Sequence, residues 1–90
     1  YAYSLAKRQE KTMPQVLLYT TLGCHLCDDA LAITQPILDK KGWAVSLVEI
    51  ADSSALVDKY GIRIPVLARV DNQEEIGWPF GVGEIERLLD

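Results

Sequence analysis

Cys24 and Cys27, in the run Cys24-His25-Leu26-Cys27, are the residues of this 90-residue chain whose type and spacing most directly imply chemistry. Residues i and i+3 are neighbours on a helix, so two sulfurs spaced this way meet across one turn. A cysteine that opens a helix faces backbone N–H groups with no partner inside it. Those donors and the helix dipole favour the thiolate over the thiol. Cys24 is then the attacking thiol, and Cys27 resolves the mixed disulfide from within. His25 adds partial positive charge beside the sulfurs. Asp28 and Asp29 oppose it, so the Cys24 pKa is expected to be lowered without reaching that of the strongest oxidants. The two aspartates read first as acids suited to the positive end of a helix. A second role would be taking the Cys27 proton through water.

Rival readings use the same residues. Two buried cysteines can pack as small apolar side chains. A structural zinc site needs four ligands, and Cys24, Cys27 and His25 supply three, with no second Cys pair or other His to close the tetrahedron. A redox-linked binding module, or a carrier of an iron–sulfur cluster bridged between two chains, is the alternative function. No metal site within one chain is expected.

The elements around the pair can be read outward from it. Val16-Leu17-Leu18-Tyr19-Thr20 is a compact β-rich run, read as a buried central strand. The turn Thr21-Leu22-Gly23 leads to Cys24, and a helix follows. Leu26, Ala30, Ile33 and Ile37, with Leu31 and Leu38 beside them, form its apolar stripe. Pro36 removes a donor, so a kink or restart is expected there. Lys40-Lys41-Gly42 closes the helix with cations at the negative end and a glycine cap. Trp43 to Ile50 is a second strand, parallel to the first across a βαβ unit. Asp52 or Ser53 caps a short helix from Ser54 to Tyr60 that ends at Gly61. Ile64 to Val70 and Glu74 to Trp78 make a hairpin around Asp71-Asn72-Gln73. Val82, Ile85, Leu88 and Leu89 are helically spaced. The order β-α-β-α-β-β-α makes an α/β domain with one four-stranded mixed sheet flanked by helices.

Composition narrows the function. Half the residues are hydrophobic, enough for one modest core. The net charge is −4, and from Met13 onward six Lys/Arg stand against twelve Asp/Glu. That balance argues against nucleic acid and against an anionic membrane surface as partners. No run is long and apolar enough to span a bilayer. Two cysteines are too few for a disulfide-stapled secreted domain, so a reducing cytoplasm is the expected location. Met13-Pro14 looks like the start of the domain. Residues 1–13 are read as an extension or linker, with a short helix in it conceivable, and 14–90 as the domain.

Lys59-Tyr60-Gly61-Ile62-Arg63-Ile64-Pro65-Val66 is the second informative segment, because a proline at a strand start withholds a ladder donor. "YTTLGCHLCDDA" followed about 40 residues later by "YGIRIPVL", a hairpin and a last helix resembles the thioredoxin superfamily, and within it the small glutaredoxin-like proteins. The likeness spans residues 15 to 90. It implies a thioredoxin-like fold with sheet order 2-1-3-4, a cis Ile64-Pro65 bond facing the cysteines, and an Ile64 backbone that pairs with a bound peptide or glutathione as an added strand. It also implies a glutaredoxin-like disulfide oxidoreductase that needs no organic cofactor. Its partners would be a disulfide-containing protein, or glutathione as co-substrate, and a reductase, with the chain acting as a monomer. His25-Leu26 stand where such proteins carry Pro-Tyr, and Gly77-Trp78-Pro79-Phe80-Gly81 where they carry a glycine pair. Glutathione carries two carboxylates and calls for cations; Arg63 is the nearby one. His25, Leu26, Arg63, Ile64, Pro65 and Trp78 are therefore the expected substrate contacts. Trp78 and Phe80 read otherwise as packing under the last helix, and Trp43 as packing at the start of the second strand.

Overall fold

The computed structural model describes residues 14–90. The extension 1–13, and any short helix in it, lie outside the described residues. The elements are β1 (Gln15–Thr20), α1 (His25–Lys41), β2 (Ala44–Glu49), a 3₁₀ turn (Ile50–Asp52), α2 (Ser54–Tyr60), β3 (Val66–Arg69), β4 (Glu75–Gly77) and α3 (Val82–Leu89). The sheet order is β2-β1-β3-β4, as expected. β1 runs parallel to β2, with Gln15 opposite Ala44 and Thr20 opposite Glu49. It runs antiparallel to β3, with Val16 opposite Arg69 and Tyr19 opposite Val66. β3 and β4 close the hairpin, Val66 opposite Gly77.

Strand alternation sends side chains to two cores. Val16 and Leu18 of β1 and Leu67 of β3 pack with Ala30 and Leu38 of α1 and Ile85, Leu88 and Leu89 of α3. Val66, on the other face, packs with Ile50, Tyr60 and the partly covered Tyr19. Each Val, Leu or Ile buried this way contributes about 1.5–3 kcal/mol before conformational entropy is counted. Trp43 packs against the first core, as expected, with the Arg69 guanidinium 4.9 Å from its ring centre.

Three expectations change in detail. α1 is continuous through Pro36 and does not restart. Pro36 and Ala32, the residue four back that loses its hydrogen-bond donor, are both exposed, so water hydrates the free carbonyl. The fully covered stripe of α1 is Cys27, Ala30, Thr34 and Leu38, while Leu26 turns out to solvent and is 49 % exposed. β3 begins at Val66 rather than Ile64, after Pro65, which has no N–H for the ladder. Between the two candidate caps of α2, Ser53 does the work, its Oγ accepting the Leu56 N–H at 3.3 Å; Asp52 belongs to the 3₁₀ turn. Gly42 takes φ 78° and donates its N–H to the Leu38 carbonyl, closing α1 in the left-handed region that glycine tolerates.

Candidate active site

β1 delivers the chain to the cysteines through a tight turn. The Cys24 N–H donates to the Thr21 carbonyl at 3.3 Å, and Gly23, at φ 79°, supplies the left-handed residue the turn requires. Cys24 is the N-cap of α1, with extended backbone, and its Sγ accepts the Cys27 N–H at 3.1 Å. The sulfur thus occupies the place that a Ser or Asp oxygen takes at other helix starts. Cys24 and Cys27 are joined as a disulfide with Cα atoms 5.2 Å apart. The two sulfurs are not equivalent to solvent: Cys24 is half-buried, whereas Cys27 is 3 % exposed beneath the first turn. His25, Leu26, Asp28 and Asp29 are exposed around them.

The second wall comes from the antiparallel register. Tyr19 lies opposite Val66, which puts Pro65 abreast of Thr20, at the end of β1 that runs into Cys24. The Ile64-Pro65 bond is cis, as the family resemblance implies, and Pro65 is buried. Trp78 follows β4 on the same end; its N–H donates to the Pro65 carbonyl at 3.0 Å. The Trp78-Pro79 bond is also cis, which was not foreseen. The Trp78 ring is half-buried, packs against the first core and meets Phe80 edge-on at 5.2 Å, so packing accounts for much of it.

Two expected contacts are already engaged within the chain. The Ile64 N–H donates to the Tyr60 carbonyl at 3.0 Å, and that oxygen also takes the Arg63 N–H at 2.8 Å. The Arg63 guanidinium is paired with Glu75 at 2.9 Å. Glu75 also accepts the Tyr60 hydroxyl at 2.9 Å. Burial pushes the Glu75 carboxyl up, but the hydrogen bonds from Tyr60 and Arg63 outweigh it and hold the group below its ordinary value. Burial, then the bond to Glu75, pushes the Tyr60 phenol well above its own.

Sequence reasoning missed Glu49 and two apolar side chains. Glu49 ends β2, next to Thr20, and its carboxylate accepts the Leu22 N–H at 3.0 Å and the Ala51 N–H at 2.9 Å. An acid ending the strand parallel to β1 was the available signal. Leu22 and Ile62 are fully open to solvent, at 92 % and 102 % exposure, each in a turn next to an element of the site. A groove of about 350 Å³ lined by Leu17, Tyr19, Tyr60, Ala68 and Glu75 opens on the second face of the sheet, and none of its lining residues belongs to the Cys24 loop.

Among the described residues no group of three or more His, Cys, Asp or Glu is placed to hold a metal ion, and no helix is long and apolar enough to cross a membrane.

The arrangement can be set beside known proteins. A structure from X. campestris, target protein XcR50, is 35 % identical, with 83 % of this chain and 95 % of that one covered and a TM-score of 0.69. Protein Ne2328 from Nitrosomonas europaea shares the fold at 24 % identity and a TM-score of 0.72, over 83 % and 88 % of the two chains. A Trichomonas vaginalis thioredoxin aligns at 20 % identity and a TM-score of 0.49, over 96 % and 83 %. No curated protein matches the chain. The family model described as glutaredoxin-like domain (DUF836) matches residues 15–90, the whole of the sheet and its helices, and the chain belongs to that family.

Proposed function

We propose that the protein is a thiol–disulfide oxidoreductase in which Cys24 attacks and Cys27 resolves. The observation that carries this reading is the unequal placement of the sulfurs: Cys24 half-exposed at the helix start with an N–H aimed at its sulfur, Cys27 covered one turn below. In the reduced state that N–H and the unpaired first-turn donors of α1 stabilise a Cys24 thiolate. The thiolate attacks one sulfur of a substrate disulfide. The S–S bond breaks, and the departing sulfur leaves as a thiolate that takes up a proton from water. Cys27, deprotonated, then attacks Cys24, forms the Cys24–Cys27 disulfide and expels the second substrate thiol. Two electrons pass from the dithiol to the substrate. Glutathione or a dithiol reductase returns them, in a reducing compartment such as the cytoplasm.

The test is a disulfide-exchange assay on the reduced protein with a small neutral disulfide. Cys24→Ser abolishes exchange, and Cys27→Ser accumulates a mixed disulfide on Cys24 visible by mass spectrometry. Undiminished exchange by the Cys24→Ser protein would overturn the assignment.

A further inference from the structure

We propose that the partner of this dithiol is a polypeptide whose disulfide is flanked by apolar side chains and a basic one, gripped through side chains rather than by strand addition or by capture of carboxylates. The inference rests on the oxidoreductase reading above and names its substrate class.

The rim of the site is apolar where it stands out furthest. Leu22 precedes Cys24 by two residues and is 92 % exposed; Leu26 follows it by two and is 49 % exposed. Ile62, three residues before Pro65, is fully exposed on the opposite wall. Single exposed apolar residues are ordinary. Leu22 and Leu26, two residues to either side of the reactive sulfur, and Ile62, in the loop that leads to Pro65, each offer apolar area that a partner's side chains would cover.

Charge points the same way. The charged side chains that follow the sulfurs in α1, Asp28 and Asp29, are both acidic and exposed, and the carboxylate tied to the turn before them, Glu49, is acidic as well. Arg63 is held by Glu75, and Arg63 and Lys59 both lie over the Tyr60 ring, beside the Glu75 carboxylate. Arg69 is held by Asp71 and the Leu88 carbonyl. Lys40 and Lys41 sit at the far end of the 17-residue α1, about 24 Å from its start. A ligand with two carboxylates finds repulsion here, and a cationic one finds attraction.

The backbone weighs against the remaining route. Antiparallel strand addition exchanges an N–H and a C=O from one residue. Ile64 has given its N–H to Tyr60. A partner strand would have to displace that bond, which favours recognition through side chains.

The test is single-turnover exchange by the reduced full chain with four disulfides: a peptide cystine flanked by Leu and Lys, the same peptide with Ser and Glu, glutathione disulfide, and neutral 2-hydroxyethyl disulfide as reference. The Leu/Lys peptide reacts faster than the Ser/Glu peptide and glutathione disulfide by at least about tenfold, the worth of one well-covered apolar contact. The Leu22→Ser/Ile62→Ser double variant lowers the ratio of Leu/Lys peptide rate to reference rate about tenfold, whereas Leu47→Ser, an exposed leucine in the middle of β2, leaves that ratio unchanged. Added salt narrows the gap between Leu/Lys and Ser/Glu peptides without closing it, because screening acts on the charges alone. Reaction with the reference but no peptide preference, glutathione disulfide reacting as fast as the Leu/Lys peptide, or an unchanged ratio in the double variant overturns the inference and leaves the oxidoreductase standing. Failure to react with any of the four overturns both.

Discussion

The Glu49 carboxylate holds the Leu22 backbone N–H at 3.0 Å across 27 residues of sequence, tying the turn that presents Cys24 to the end of β2. Hydrogen bonds hold the Glu49 carboxyl below its ordinary pKa, that from the Thr21 side chain first and those from the Ala51 and Leu22 N–H groups after it. A carboxyl depressed on folding stabilises the protein fully above its unfolded pKa and loses that contribution as pH falls through the lower folded one. Thermal melts of the wild type and of Glu49→Ala, both in the oxidised form, should therefore differ at neutral pH and converge in acid below the ordinary carboxylate range. Glu49→Ala also slows exchange with a neutral disulfide, while Glu49→Gln, which keeps one acceptor oxygen, restores part of the rate. A gap in Tm that persists at the acid end would count against the strap.

Gly61 takes an ordinary helical φ of −52°, but a Cβ there would sit 2.5 Å from the Val57 carbonyl oxygen. The neighbour is backbone and has little freedom to yield. Gly61→Ala should destabilise the fold by about 1–3 kcal/mol, as overpacking does. The displacement passes directly into Ile62–Pro65, so the variant also loses exchange rate at temperatures where it remains folded. Urea denaturation measures the first effect and single-turnover kinetics the second.

Thr34 is fully buried in the middle of α1, and its hydroxyl has no partner among the described residues. An unsatisfied buried hydroxyl carries its desolvation penalty without return. Thr34→Val keeps the branched shape and removes that group, so it should raise stability by about 1 kcal/mol. A loss of stability in urea would show that the hydroxyl is satisfied in solution.

Tyr60 links β1 to β4 on the second face of the sheet: its ring stacks on Tyr19 at 4.2 Å and its hydroxyl donates to Glu75. Tyr60→Phe keeps the stack and removes the donor, which should lower stability by about 1–2 kcal/mol at neutral pH. Glu75 in the wild type is another carboxyl depressed on folding, so its contribution is present above its unfolded pKa and fades as pH falls through the folded one. The deficit of Tyr60→Phe should shrink over that same acid range. Equal urea midpoints for variant and wild type at pH 7 would refute the role.

Much of this architecture was legible because local and global signals agree. The β-rich run from Val16, the cap at Gly42 and the proline before β3 each have one economical placement, and together they give the elements of a mixed sheet, whose order the family resemblance supplied. The CxxC spacing placed the cysteines at the start of α1, and the family resemblance implied the cis bond at Ile64-Pro65. What escaped reading was set by tertiary contact. Glu49 is an ordinary strand-end acid until β1 and β2 pair in register and bring it under Leu22. The pairing of Arg63 with Glu75 depends on a hairpin whose register the sequence does not state. Leu26 fits the periodicity of the apolar stripe but falls just outside it, because the buried line of α1 runs through Cys27 and Thr34.

The pairing of β1 with β3, described above as the source of the second wall, also imposes an order in time. Cys24 and Cys27 share one turn of one helix, whereas Pro65 and Trp78 take their places at the end of β1 only after the antiparallel half of the sheet has formed. A nascent chain, made from its N-terminal end, carries both sulfurs well before it carries the wall that would discriminate between partners. On the oxidoreductase reading proposed above, the attacking group would therefore be made before the surface that selects its partners.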